Sequence, residues 1–167
     1  WQGTVRWSLE TLNGELLEKG RYDVTVPARS ARKVAELNFA RRLAEPDINR
    51  REVVLWAELW QGDRLLARQC GTFTPNKHLA LADPHLDVAV DVQDGALAIE
   101  VAAASTARFV ELALDGAGAL GDVVFSDNYF DVPAGKTVTV TCPLPAGWTL
   151  DDARAALRVQ SLYDSYA

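Results

Sequence analysis

The chain has 167 residues, with 17 Lys or Arg against 23 Asp or Glu, for a net charge of -6. An apolar content of 49% beside 24% charged residues excludes a disordered chain, and the acidic balance lacks the basic footprint of a nucleic-acid binder. No stretch nears the roughly 18 apolar residues that span a bilayer, so no membrane partner is expected.

In chain order, the dominant period is two. Val5-Arg6-Trp7-Ser8-Leu9-Glu10 alternates apolar and polar residues, which predicts a strand with one buried face. Asn13-Gly14 is a hairpin signal, and Tyr22, Val24 and Val26 alternate with Arg21, Asp23 and Thr25 in the returning strand. A third strand is predicted over Ser30 to Leu37. Phe39 to Glu45 reads as a helical turn or two, halted by Pro46. Glu52 to Trp60 is the fourth run, and Gln61-Gly62-Asp63 turns it into a fifth, Arg64 to Cys70.

Residues 75–84 form a linker bracketed by Pro75 and Pro84, after which the pattern restarts. Leu86, Val88, Val90 and Val92 share one face. Asp94-Gly95 predicts a hairpin into Leu97, Ile99 and Val101. Val110 to Leu114, a short Val123 to Phe125, and Val138 to Cys142 follow, with loops at Gly116 and Gly118 and a turn at Pro133-Ala134-Gly135-Lys136. Thr149-Leu150-Asp151-Asp152 is a capping-box variant that starts a helical turn. The last run places Leu157, Val159, Ser161 and Tyr163 on one face.

Short alternating strands without intervening helices predict an all-β fold of two tandem β-sandwich domains. The boundaries are 1–78, with the first strand of that domain missing, and 79–167. The absence of Met and the opening Trp1-Gln2-Gly3 predict a segment processed or cut from something longer. Cys70 and Cys142 fall on opposite sides of the linker, which predicts no bridge between them.

Little here carries chemistry. His78 and His85 lack the three or four ligands that a metal needs, so no metal or other cofactor is expected. Ser30-Ala31-Arg32-Lys33 and Ser126-Asp127-Asn128 mimic two serine β-lactamase motifs, but Lys136-Thr137-Val138 breaks the third. The carboxylates fall on wet strand faces and turns, and no spacing singles out a catalytic pair.

The tryptophans are the distinctive residues. Trp7 shares a face with Val5 and Leu9 and is assigned to the core. Trp56 and Trp60 lie opposite Val53, Leu55 and Leu59, so both faces of their strand carry apolar bulk. Trp56, Trp60 and Trp148 are candidates either for interdomain packing or for stacking on sugar rings.

The run Val124-Phe125-Ser126-Asp127-Asn128-Tyr129-Phe130-Asp131-Val132-Pro133-Ala134-Gly135-Lys136 resembles the F-S-D-N-Y-F-D-L-x-P-G signature of the C-terminal immunoglobulin-like domain of β-mannosidases, in glycoside hydrolase family 2. The ending Leu157-Arg158-Val159-Gln160-Ser161-Leu162-Tyr163-Asp164-Ser165-Tyr166 is similar to that domain's last strand. Residues 75–84 are similar to the junction before it. Gly3-Thr4-Val5-Arg6-Trp7-Ser8-Leu9 and Ser30-Ala31-Arg32-Lys33-Val34-Ala35 resemble stretches of the preceding domain.

The resemblance implies that the two are tandem immunoglobulin-like β-sandwich domains, and that the chain is a non-catalytic accessory fragment of a retaining exo-β-mannosidase or a close relative such as an exo-glucosaminidase. The two catalytic glutamates of such enzymes stand on a (β/α)₈ barrel, and no residue here corresponds to either. The implied partner is that barrel. The alternatives are a carbohydrate-binding module taking a mannose-containing oligosaccharide on its Trp rings, and an adhesion domain. The few cysteines and the lack of glycosylation sequons suggest a bacterial cytoplasmic or periplasmic location. Within the signature, Asp127 and Asn128 suit a turn with positive φ, and Tyr129 and Phe130 point to opposite faces, with packing roles expected for both.

Overall fold

A computed structural model describes residues 1–116 and 123–166. The chain divides into two compact units, Trp1–Ala80 and Leu81–Ala167.

The first unit is built on a four-stranded antiparallel sheet of order β2-β1-β3-β4. Its strands are β1 (Gln2–Thr11), β2 (Leu16–Thr25), β3 (Val53–Gln61) and β4 (Arg64–Thr72). Asn13-Gly14 turns β1 into β2, with Gly14 at φ 86°, a conformation that glycine adopts without penalty. Antiparallel pairing of β1 with both neighbours makes β2 and β3 parallel, so residues 26–52 must cross over β1. They cross on the face that carries Leu9 and Val53, both essentially inaccessible. Phe39 and Leu43, beside a 3₁₀ turn at Arg42–Ala44, close that face. Phe39 stands edge-on to Trp7 at 5.5 Å and to Phe73 at 5.9 Å. Such perpendicular ring contacts are the favoured aromatic geometry.

One sequence expectation needs correction in this unit. Ser30 to Leu37 forms no strand. It belongs to the crossover: Ser30 to Lys33 are exposed, Val34, Ala35 and Leu37 are half-buried, and Leu37 packs against the core of Leu9 and Val53, as in a segment lying across a surface. Period two marks one-sided burial and says nothing about a hydrogen-bonding neighbour. Trp7 owes its place to a glycine: it is cross-strand from Gly20, and a Cβ there would come within 2.7 Å of the indole.

The second unit has two three-stranded antiparallel sheets, β5-β6-β9 and β10-β7-β8. The strands are β5 (Asp87–Gln93), β6 (Ala96–Ala103), β7 (Ala107–Leu114), β8 (Phe130–Val132), β9 (Lys136–Pro143) and β10 (Leu157–Gln160). Leu97, Ile99 and Val101 of β6 and Val140 of β9 meet Val110 and Leu112 of β7 and Val132 of β8 in one core. Alternate residues turn inward from both sheets, which is the packing of a sandwich. Cys142 joins this core, where burial pushes its thiol pKa up. Cys70 stands on β4, in the other unit.

α1 (Leu150–Ala156) precedes β10. Its capping box is complete: the Thr149 hydroxyl accepts the Asp152 N–H, and the Asp152 carboxylate accepts the Thr149 N–H. Ala153 then points into the core with no accessible surface. Val123 to Phe125, expected as a strand, forms none, while β8 arises inside the signature. The loop expected at Gly118 lies outside the described residues; Gly116 is described, at φ 78°. No described helix is long and apolar enough to cross a membrane.

Candidate functional site

The most unusual backbone lies where β7 meets β8. Ala107 pairs with Val132 and Val110 with Phe130, so two residues of β7 face one of β8. This is a β-bulge, a device that re-aims side chains. Its second residue, Phe109, sits at φ 49°. The residue opposite, Asp131, occupies the gap: its carboxylate accepts the Phe109 N–H at 3.0 Å and pairs with the Arg108 guanidinium. Arg108 is 5% exposed, a burial that an unpaired cation would not tolerate. Burial raises the Asp131 pKa above its ordinary value; the Phe109 N–H and Arg108 offset this in part.

Beyond β8 the ladder is continued by a side chain. Asn128 Oδ1 accepts the Leu112 N–H at 2.8 Å, and its Nδ2 donates to the Leu112 carbonyl at 3.0 Å. The amide thus supplies the donor and acceptor that a strand neighbour would offer. Oδ1 also accepts the Tyr129 N–H at 3.0 Å. On the other side, Ser126 N–H bonds the Thr141 carbonyl, and the Ser126 hydroxyl accepts the Thr141 N–H. The segment Ser126–Asp131 therefore ties β9 of one sheet to β7 of the other. The positive φ expected at Asp127 or Asn128 falls instead on Tyr129, at 58°. With Asn128 held to Leu112 and Asp131 held to the bulge, the chain between them has to reverse locally at Tyr129.

Two aromatic residues are consequently held in the left-handed region, where a side chain carries a penalty of about 1–2 kcal/mol each. Phe130 enters the core, as expected, but Tyr129 does not pack: it is 60% exposed, and Phe109 is 37% exposed. The Tyr129 hydroxyl donates to Glu111 Oε1 at 3.0 Å, a bond that raises the phenol pKa above its ordinary value. Glu111 is paired across the sheet with Gln160, and the chain then turns through Ser161, whose N–H and hydroxyl both donate to Asp164. Phe109, Glu111, Tyr129, Gln160, Asp164 and Ser165 help line an open recess of about 260 Å³.

The tryptophan candidates lie elsewhere. Trp56 and Trp60 occupy one face of β3. Trp56 is only 2% exposed, so its ring offers no stacking platform to a sugar. Trp60 is half-buried; its N–H donates to Glu58 at 2.8 Å, and the Arg6 guanidinium lies 4.5 Å from its ring centroid. Glu58 also accepts from Arg68, at 2.8 Å. Trp148, in the other unit, is half-buried against that unit's core and lines a shallow recess with Asp115 and Asp152. The two β-lactamase-like serines are structural: Ser30 donates to the Pro27 carbonyl, and Ser126 belongs to the sheet tie. Among the described residues, no group of three or more His, Cys, Asp and Glu could hold a metal ion. The recess eluded the sequence because its walls come from three separated stretches. The one local signal was an aromatic residue between Asn128 and Asp131.

Comparison with known proteins adds the following. Residues 1–78 match the family described as a mannosidase Ig/CBM-like domain, and residues 81–165 match a mannosidase family described as an Ig-fold domain. No curated protein matches. Among solved structures, the exo-chitosanase CsxA of Amycolatopsis orientalis is similar at 14% identity and a TM-score of 0.53. The match covers 96% of this chain and 22% of that one. A complex of the same enzyme with PNP-beta-D-glucosamine is similar at 15% identity and a TM-score of 0.53, with the same coverage. At such identities the likeness establishes the fold. The chain spans about a fifth of the length of these structures.

Proposed function

Because the chain belongs to the mannosidase immunoglobulin-like families of glycoside hydrolase family 2 over both of its units, we propose that it is a non-catalytic accessory part of a longer β-mannosidase. That protein would remove terminal β-D-mannose residues with retention, using a catalytic barrel that partners these units. The observation that carries the reading is the tandem of two mannosidase-type domains. The signature residues support it by what they do. Ser126, Asn128 and Asp131 spend their polar groups on backbone and on Arg108, which is the work of a scaffold.

The same reading gives Trp56, Trp60 and Trp148 packing roles. Burial of Val54 and Trp56 on the second face of β3 favours packing over sugar stacking, and the Arg6 contact occupies part of the Trp60 ring. The test is to express the complete open reading frame and to assay it beside this chain on p-nitrophenyl β-D-mannopyranoside and β-D-glucosaminide. Mannoside hydrolysis by the longer protein, with none by this chain, is the expected result. Turnover by this chain that a point substitution abolishes would overturn the accessory role. Cleavage of the glucosaminide alone would replace the mannosidase reading with a glucosaminidase one.

A further inference from the structure

We propose that the recess between Phe109 and Tyr129 is a secondary binding site for one neutral pyranose ring of an oligosaccharide, separate from any catalytic centre. Three features of the molecule converge on it. The first is the display of aromatic surface. Tyr129 and Phe109 are both held at positive φ, and both present their rings to solvent at 60% and 37% exposure. Glycine would relieve the backbone at either position, and an exposed ring contributes little to folding. Backbone strain of this kind collects at ligand clamps.

The second feature is the rigidity of the support. The Phe109 backbone is anchored by Asp131 and its ring lies 4.6 Å from the buried Arg108 guanidinium. The Tyr129 backbone is anchored by Asn128, and its hydroxyl by Glu111. Little ordering remains to be done on binding, which is how a small ligand gains affinity from few contacts.

The third feature is the chemistry of the lining. Aromatic faces suit the C–H face of a pyranose, and the walls offer acceptors and mixed donors for its equatorial hydroxyls: Glu111, Gln160, Asp164 and Ser165. Gln160 and Ser165 combine donor and acceptor capacity, which matches hydroxyl groups that both give and receive. A volume of about 260 Å³ admits one ring rather than a chain. The lining has no cation, so an anionic ligand is disfavoured.

The site does not depend on the identity of the parent glycosidase, and its test is independent of activity. The chain, labelled with ¹⁵N, is titrated with β-1,4-mannobiose and separately with cellobiose while amide resonances are followed. The expected result is saturable shifts with at least one disaccharide at the amides of Phe109, Glu111, Tyr129 and Gln160, with dissociation constants in the millimolar range. Tyr129→Gly is the decisive variant, because it removes the ring while removing the backbone strain. It is expected to weaken binding about tenfold or more with a melting temperature equal to or above that of the parent. Tyr129→Phe keeps the ring, loses the Glu111 bond, and is expected to retain most of the binding. A flat response to both sugars, shifts confined to other surfaces, or undiminished binding by a folded Tyr129→Gly variant would overturn the proposal. So would protection of Tyr129 from solvent by another domain in the complete protein, which would make the ledge a protein interface.

Discussion

Replacing Asn128 by alanine removes both hydrogen bonds that its side chain makes with the Leu112 backbone. Leu112 is 2% exposed, so water cannot replace them freely. A buried donor or acceptor left unmade costs about 1–3 kcal/mol. Two such groups, with some relaxation, put Asn128→Ala at about 2–4 kcal/mol. In a unit of this size, 1 kcal/mol moves the melting temperature by roughly 4–8 °C, so a fall of about 10–25 °C is expected in the transition of residues 81–167. Differential scanning calorimetry gives the total, and amide exchange at Leu112 tests the mechanism, because its protection should drop further than that of Ile99. Asn128→Asp refines the test. Its carboxylate still accepts the Leu112 N–H but faces the Leu112 carbonyl with an acceptor. Protonation restores a donor, so the carboxyl pKa is raised in the folded state and the deficit should shrink as pH falls below about 5. A loss below about 0.5 kcal/mol for Asn128→Ala, or an Asp variant whose deficit is independent of pH, would refute the view that this amide stands in for a strand.

Three further outcomes follow from close contacts and caps. Gly20→Ala places a methyl group within 2.7 Å of the Trp7 ring and should destabilise the first unit by about 1–3 kcal/mol, read from urea unfolding by tryptophan fluorescence. Thr149→Ala removes the α1 cap and should cost about 1 kcal/mol, measured in the same way on the second unit. The Thr149 hydroxyl and N–H hold the Asp152 carboxyl below its ordinary range. Its contribution is therefore present above the usual carboxylate value and lost as pH falls through the lowered one. Asp152→Asn should flatten that part of the acid stability profile.

Much of the fold is legible in the sequence because it rests on local chemistry. Asn13-Gly14 and Asp94-Gly95 turn where a hairpin signal says they will, with Gly14 and Gly95 at positive φ. Thr149 and Asp152 cap a helix from their spacing alone. Errors arise where a local pattern has two tertiary causes. Ser30 to Leu37 reads as a strand, yet only its later residues lie half-buried on a sheet, and the sequence cannot distinguish that from pairing within one. The signature shows which residues bond backbone but not which residue absorbs the strain: the left-handed position passes from Asn128 to Tyr129 because Asn128 is tethered to Leu112. Trp56, a candidate for sugar stacking, is buried, and Tyr129, expected to pack, is exposed. Side-chain bulk says how much surface a residue has to hide, while its neighbours decide whether it is hidden.

The crossover of residues 26–52 has a consequence for the order of folding. β1 with β2 and β3 with β4 are hairpins closed by short turns, and such local pairings form within about 1–10 μs. The β1–β3 pairing that unites them, from Thr11 opposite Val53 to Thr4 opposite Trp60, must wait for a long loop to close, and its entropy is spent before any contact rewards it. Phe39 sits near the middle of that loop and reaches Trp7 on one hairpin and Phe73 just beyond the other. It is expected to act as the latch of the transition state. Truncating Phe39 should then slow folding, and so should loosening either turn, because both hairpins are already formed when the loop closes.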